Sequence, residues 1–269
     1  MAISATDVKN LRELTGAGMM ECKKALEETG GDFDKAVEAL RISGAAKAAK
    51  RGAERSTSNG LVASSGSALI SLLCETDFVA KNDDFQKLAQ KIAAAVDAGS
   101  SNDLETALSL SVGDKSVAEE IEALSAVIGE KLELGKVARF SGDVAVYLHK
   151  RSEDLPPQVG VLVEFSGNPD TARAIAMQIA AMRPLYVNSD EVPSDVIESE
   201  KRIAEATAKE EGKPEAALPK IVEGRVQGFL KEVVLVMQPS VQDSKKSVQQ
   251  VLDETGTSIS RFARFDSAQ

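Results

Sequence analysis

The sequence predicts an α+β protein: three short helices, then a two-unit α+β core with antiparallel strands, interrupted by a helical hairpin. Three observations lead to this prediction. Glycines divide the first 44 residues into short amphipathic segments, and β-capable runs alternate with helical stretches after residue 60. In addition, 43% of the residues are hydrophobic but only 4% are aromatic and none is Trp, so the cores must be aliphatic.

The first three helices are predicted from caps, apolar stripes and glycines. ATDVKNLRELTG can be capped by Thr6 and has one apolar face. MMECKKALEETGG ends at a glycine pair, which stops a helix. DFDKAVEALRISG begins with an aspartate cap and carries another apolar stripe. A bundle of this size is marginally stable alone.

The next segments change from helical to β-capable composition. Residues 45–60 favour helix at their start, where Ala and Lys predominate, and coil at their end, where Ser, Asn and Gly predominate. We interpret them as a basic tether. GLVASSGSALISLLC then predicts a β-hairpin, and residues 85–99 predict a long helix.

The remaining elements follow the same patterns. Residues 101–131 predict a short capped helix and a longer one, and three strand-like runs come next. A helix starts at Asn168, residues 193–234 predict a helical hairpin, and the chain closes with a capped helix and the strand SISRFARF. The predicted domains are residues 1–55, the α+β core formed by 56–192 and 235–269, and the hairpin 193–234.

Charge and composition exclude several classes of protein. The net charge is −10, and all of the excess negative charge follows residue 55, which argues against a general binder of nucleic acids or membrane surfaces. The two cysteines form no CxxC motif, the start has no apolar signal core, and no run approaches the roughly 20 apolar residues that span a bilayer. We expect a soluble, cytoplasmic protein.

Motifs that carry chemistry are missing from the sequence. A single histidine, His149, excludes a histidine metal cluster, and phosphate-loop, dinucleotide and hydrolase motifs do not occur. A Cys74–His149 nucleophile pair is conceivable, but a buried core cysteine is favoured because free cysteines are among the most buried residues. The sequence therefore predicts a binding protein without metal or cofactor, and not an enzyme.

One crossing between a strand and a helix is unusually long. CETDFVAKNDDF joins the apolar run ALISLL to the next helix. ALISLLCE aligns with GVLVEFSG, and LAQKIAAA aligns with IAMQIAAM, so that the first copy has about five extra residues at TDFVAKN. This internal repeat and a coincidence between Ala-rich helices both remain open.

The TDFV segment (residues 76–79) has two interpretations. In the first, Thr76 or Asp77 caps a short turn, Asn82 caps the next helix, and Phe78 folds back onto the core. In the second, Phe78 points outward as an aromatic anchor for a partner, and Asp77 meets a charge on that partner. The residue pattern alone leaves both open.

Two long motifs resemble those of a known family. LRELTGAGMMECKKALEETGGDFDKAVEALR and CETDFVAKNDDF, about 60 residues apart, resemble the signature regions of the bacterial elongation factor Ts family, and the likeness extends to VIGEKL, GVLVEF, KIVEGR and RFARF. Members of this family exchange guanine nucleotides on the GTPase elongation factor Tu. The resemblance also implies that the three N-terminal helices form a ubiquitin-associated-like domain and that the hairpin is a projecting coiled coil, which forms homodimers in some members.

The resemblance implies a mechanism and a set of site residues. Phe78 would enter between helices of the GTPase domain and disturb its Mg²⁺ site, so that GDP leaves and GTP binds; the segment responsible is Thr76, Asp77, Phe78 and Val79. Further contacts implied with elongation factor Tu are Arg12, Met19, Met20, Ile128, Gly129, His149 and Val241.

The resemblance has departures, and other functions remain possible. Gln242 stands where some relatives carry Met beside the Val241 contact, and the further C-terminal helix of some relatives does not follow RFARFDSAQ. One rival is a ubiquitin-associated-like adaptor, which would bind proteins through residues 1–55 and would not need Phe78. Another is an enzyme that uses Cys74 or paired carboxylates.

Overall fold

The computed structural model describes residues 3–15 and 17–267, without the side chains of residues 13, 41 and 45–54, and has an α+β fold. One compact unit comprises Met1–Arg139, Lys150–Val159 and Phe265–Gln269, and the other comprises Phe140–His149 and Gly160–Arg264. The helices are α1 (Ala5–Thr15), α2 (Met19–Glu28), α3 (Phe33–Glu54), α4 (Asp77–Ala80), α5 (Asp83–Gly99), α6 (Leu104–Ser109), α7 (Val117–Ile128), α8 (Pro169–Met182), α9 (Ser194–Glu210), α10 (Leu218–Val233) and α11 (Val248–Thr255). The strands are β1 (Asn59–Ser65), β2 (Ala68–Cys74), β3 (Ser111–Val112), β4 (Lys115–Ser116), β5 (Glu133–Arg139), β6 (Asp143–His149), β7 (Val159–Ser166) and β8 (Ser258–Asp266).

Helices α1, α2 and α3 pack around a small aliphatic core that includes Leu11, Cys22 and Leu26. The cap of α1 differs from the prediction. Ser4 precedes the helix, its hydroxyl accepts a hydrogen bond from the Asp7 N–H at 3.1 Å, and the Asp7 carboxylate accepts one from the Ser4 N–H at 3.2 Å. Ser4, and not Thr6, therefore caps the first helix, because Thr6 already lies inside it.

Helix α3 is longer than the sequence predicts. The sequence predicts that the helix ends at RISG, but it continues through Gly44 to Glu54. Gly44 lies where α3 packs against α7: a Cβ atom built on it would stand 3.1 Å from the Ala126 Cβ. This glycine therefore permits close helix packing and does not act as a stop signal.

The first unit contains an antiparallel sheet in the order β1-β2-β5. The β1–β2 hairpin predicted from sequence is present, with Ala63 opposite Ile70. Helix α5 packs on this sheet through buried residues that include Phe85 and Ile92. Strand β2 is almost wholly buried, as its continuous apolar run indicates. A rigid strand therefore leads directly into the TDFV segment.

The second unit repeats the strand-and-helix arrangement. Its sheet has the order β6-β7-β8, and α8 and α11 contribute to a core that includes Val161, Val163 and Ile175. Helices α9 and α10 pack against each other. The guanidinium of Arg225 on α10 donates hydrogen bonds of 2.8 and 2.9 Å to the carboxylate of Glu211, which follows α9. Among the helices that the structure describes, none combines the length and the apolar character that crossing a membrane requires.

Candidate functional site

The TDFV segment forms α4, a helix of a single turn. Thr76 precedes it in extended conformation, and its hydroxyl oxygen accepts a hydrogen bond from the Val79 N–H at 3.4 Å. The Ala80 N–H donates to the Thr76 carbonyl at 3.3 Å, and the Lys81 N–H donates to the Asp77 carbonyl at 3.1 Å. Asn82 then caps α5 by accepting from the N–H groups of the second and third residues that follow it. The capping expected for Thr76 and Asn82 is present.

Phe78 points away from the protein. Its side chain is 80% exposed, whereas Val79 is 8% exposed and Ala80 is completely buried in the core under α4. Consecutive helical residues are about 100° apart, so burial of residues 79 and 80 turns residue 78 outward. The interpretation in which Phe78 folds back onto the core is wrong.

Asp77 is half-exposed at the start of α4. Its carboxylate forms an ion pair with Lys81 at 3.4 Å, one helical turn later. An exposed pair of this kind contributes little to stability, on the order of 0.5 kcal/mol. Asp77 can therefore exchange Lys81 for a cationic group on a partner at small cost.

A second crossing in the same chain shows what α4 adds. Asn168 caps α8 through the N–H groups of Asp170 and Thr171, just as Asn82 caps α5. Asn82 follows the last residue of β2 by eight positions, and Asn168 follows the last residue of β7 by two, so the first crossing is six residues longer. The shared cap supports the internal repeat, and the added residues are those that carry Phe78.

Two carboxylates hold the TDFV segment against the turn between α7 and β5. The Glu130 carboxylate accepts hydrogen bonds from the Thr76 N–H at 3.1 Å and from the Thr76 hydroxyl at 2.7 Å. In the opposite direction, the Glu75 carboxylate accepts from the Lys131 N–H at 2.6 Å. Arg55 forms an ion pair with Glu75 at 3.2 Å. Sequence reasoning missed both carboxylates, although Glu130 follows directly on the Ile128-Gly129 pair that the resemblance singled out.

Ile128 and Gly129 lie at the end of α7, close to this turn. Ile128 packs against the same core that buries Val79. Gly129 ends the helix with a φ of 87°, and its N–H donates to the Ser125 carbonyl at 2.9 Å. The structure thus joins this pair to the TDFV segment through the adjacent Glu130.

Three further candidate residues lie on the N-terminal helices. Arg12 is exposed on α1. Met19 and Met20 begin α2 and are 54% and 75% exposed. Consecutive helix positions point about 100° apart, so one of the two methionines could face the core, but neither is buried. Exposed neighbouring methionines form an adaptable apolar surface.

His149 and Val241 lie in the second unit. His149 is exposed at the end of β6, where its ring stacks on that of Tyr147 with 6.1 Å between centroids. Val241 is half-exposed in the loop before α11. The buried side chain of Gln178 accepts a hydrogen bond from the Val241 N–H at 2.7 Å, and its amide nitrogen donates to Gln238 at 3.1 Å. This buried amide pair fixes the loop that presents Val241.

The environment of Cys74 does not favour an enzyme that uses this thiol. Its side chain is completely buried under α4, and its thiol donates to the Thr76 carbonyl at 3.2 Å. Burial, together with the negative charge of Glu130, raises the pKa of the Cys74 thiol to about 12. Because the thiolate is the reactive form, this cysteine is inert near neutral pH. Among the side chains that the structure describes, no cluster of three or more His, Cys, Asp or Glu could hold a metal ion.

Comparisons with known proteins agree on one family. A sequence profile described as "Elongation factor TS" matches residues 75–269, which include α4 and all of the second unit. Curated relatives named "Elongation factor Ts" include those of Nocardioides sp., 61% identical over 98% of this chain and 98% of the relative, and of Saccharopolyspora erythraea, 61% identical over 99% and 98%. A relative of the same name from Mycobacterium tuberculosis is 58% identical over 99% of this chain and 98% of its own length.

Proposed function

The chain belongs to the elongation factor Ts family of translation elongation factors, and on that premise we propose that it binds the GDP form of elongation factor Tu and promotes the release of GDP. The observation that carries this proposal is the exposure of Phe78 on α4. An exposed aromatic side chain on a short, capped helix is a ready anchor for a partner. The site of action would be the cytoplasm, where translation takes place.

The proposed mechanism is mechanical and needs no covalent step. Phe78 enters between helices of the GTPase domain, and Asp77 leaves Lys81 to meet a charge on the partner. In a nucleotide-binding GTPase, the phosphate loop and Mg²⁺ hold the β- and γ-phosphates. A ring that displaces the elements around the Mg²⁺ site weakens the binding of GDP, so that GDP leaves and GTP can bind.

One phenylalanine cannot supply all of the energy that exchange requires. Burial of a phenylalanine side chain is worth about 2–3 kcal/mol, which corresponds to a factor of about 30 to 150 in affinity. We propose that the remainder comes from Arg12, Met19, Met20, Ile128 with Gly129, His149 and Val241. The first three would act from a ubiquitin-associated-like bundle formed by α1, α2 and α3.

The adaptor alternative has support in one observation. Met19, Met20 and Leu14 are exposed apolar residues on the N-terminal helices, and such residues can bind a protein without any exchange activity. An adaptor would keep its partner when Phe78 is removed.

We also propose that the α9–α10 hairpin projects as a coiled coil and offers the surface for a homodimer, with Ile203 exposed on it.

Stopped-flow release of fluorescent GDP from elongation factor Tu tests the proposal. The full chain should accelerate release of GDP. Phe78→Ala should reduce the saturating rate about 30-fold or more, because the ring stabilises the conformation in which the elements around the Mg²⁺ site are displaced. Leu104→Ala removes an exposed apolar side chain from α6 in the same unit and should leave the rate unchanged. A Phe78→Ala protein that folds normally and releases GDP at the parent rate would rule out this mechanism.

A further inference from the structure

We propose that Glu130 is a positioning residue for Phe78: its carboxylate fixes Thr76 as the cap of α4 and thereby sets the direction in which the ring is presented. This inference rests on the proposed function, and it adds a residue outside the TDFV segment to the exchange apparatus. It is carried by two hydrogen bonds that join residues 54 positions apart in the chain.

The hydrogen bonds determine how Thr76 can act. One Glu130 oxygen accepts from the Thr76 N–H and the other accepts from the Thr76 hydroxyl. Because the hydroxyl hydrogen points to Glu130, the lone pairs of the oxygen are left for the Val79 N–H, which donates to it. The carboxylate therefore orients the cap as well as anchoring its backbone.

Helix α4 depends on such outside support. It has four residues, far fewer than the 12 or so that an isolated helix needs for marginal stability in water. Its only buried side chains are Val79 and Ala80. The hydrogen bonds between Thr76 and Glu130 consequently contribute a large share of the stability of this turn, and they help to keep the Phe78 ring in one orientation.

Glu130 is itself held in a rigid setting. Its carbonyl accepts a hydrogen bond of 2.6 Å from the Ser125 hydroxyl on α7, and its neighbour Lys131 donates its N–H to Glu75. The segment after β2 therefore donates hydrogen bonds to the turn after α7, through Thr76 and Glu130, and accepts one from it, through Glu75 and Lys131. A rigid anchor matters because an aromatic side chain that is ordered before docking loses less conformational entropy when it binds.

Amide hydrogen exchange on the free, full-length protein tests the positioning directly. Glu130→Gln keeps the size of the side chain, but its amide nitrogen cannot accept from Thr76, so the Val79 and Ala80 amides should exchange about fivefold faster. Thr76→Val should have the same effect, whereas Thr76→Ser should retain slow exchange. Glu105→Gln on α6 is the charge-matched control and should change nothing at α4. Unchanged protection of Val79 and Ala80 in both Glu130→Gln and Thr76→Val would overturn the inference.

GDP release from elongation factor Tu tests whether the positioning acts through Phe78. Glu130→Gln should lower the saturating rate about fivefold, with a smaller change in the concentration that gives half of that rate. In a Phe78→Ala background the same substitution should add no further loss. An equal loss in both backgrounds, or no loss in the presence of Phe78, would refute the role of Glu130 while the proposed function stands. If Phe78→Ala releases GDP at the parent rate, the proposed function itself fails.

Discussion

At the scale of single residues, Phe78 is exceptional among the phenylalanines of this chain. Phe85, Phe140 and Phe265 are buried, whereas Phe78 is 80% exposed. Leaving a phenylalanine in water forgoes about 2–3 kcal/mol of hydrophobic stabilisation, although the core lies directly beneath α4. The chain thus keeps an apolar side chain available that contributes almost nothing to its own stability, which is what an anchor for a partner requires.

Cys74 predicts a measurable dependence of stability on pH. The pKa of its thiol is raised from 9.0 to about 12, so the folded state keeps a proton that the unfolded state loses above pH 9. This contribution to stability is fully present below pH 9 and disappears as the pH rises toward 12. At pH 10.5 it should have fallen by about 2 kcal/mol, because each pH unit between the two pKa values is worth about 1.4 kcal/mol.

Urea unfolding of the parent and of Cys74→Ala, measured from pH 8 to pH 10.5, checks this prediction. The difference between the two proteins removes the common titration of lysines and tyrosines. It should be constant up to about pH 9 and should then change in favour of Cys74→Ala. A difference independent of pH would show that the thiol ionises equally easily in both states.

At the scale of elements, short sequence patterns predict caps and hairpins correctly. They fail for features that depend on contacts between segments far apart in the chain. The Asn82 and Asn168 caps, the β1–β2 hairpin and the strand order along the chain follow from short patterns. The length of α3 does not, because Gly44 is a packing position against Ala126, 82 positions later in the chain. The Glu130–Thr76 hydrogen bonds escape sequence reasoning for the same reason, since no local pattern reports a contact across 54 positions.

Two glycines, one at the end of α7 and one inside α10, predict effects of opposite sign. Gly129 ends α7 at a φ of 87°, so Gly129→Ala should destabilise that helix end by about 1 kcal/mol even though the space at its Cβ is open. Gly224 lies exposed inside α10, has no positive φ, and a Cβ added to it would meet no heavy atom within 4 Å beyond its chain neighbours and the adjacent helix backbone. Gly224→Ala should therefore stabilise α10 by about 0.5–1 kcal/mol.

Native-state hydrogen exchange of the amides of each helix measures both effects. Faster exchange in α7 for Gly129→Ala and slower exchange in α10 for Gly224→Ala are expected. If both substitutions stabilise, backbone strain at Gly129 is not what determines its identity.

At the scale of the whole molecule, the candidate contacts are distributed over both units. Phe78, Met20 and Gly129 belong to the first unit, and His149 and Val241 belong to the second. Each is held in place within its own unit: Gly129, for example, ends α7, and the loop that carries Val241 is fixed by the buried Gln178. In the proposed function, contacts from each unit would supply the binding energy that burial of Phe78 alone does not provide.

The proposed exchange reaction is a closed thermodynamic cycle, and it predicts in which complex Phe78 acts. The factor by which the chain lowers the affinity of elongation factor Tu for GDP must equal the factor by which GDP lowers its affinity for the chain. If Phe78 acts only in the nucleotide-free complex, Phe78→Ala should reduce both factors about 30- to 150-fold and should hardly change affinity for the GDP-bound form. Equilibrium titrations of GDP-bound and nucleotide-free elongation factor Tu with parent and variant measure all four affinities. An equal loss of affinity for the two forms would mean that Phe78 is a uniform anchor, because only an interaction stronger in one state than in the other can shift the equilibrium between them.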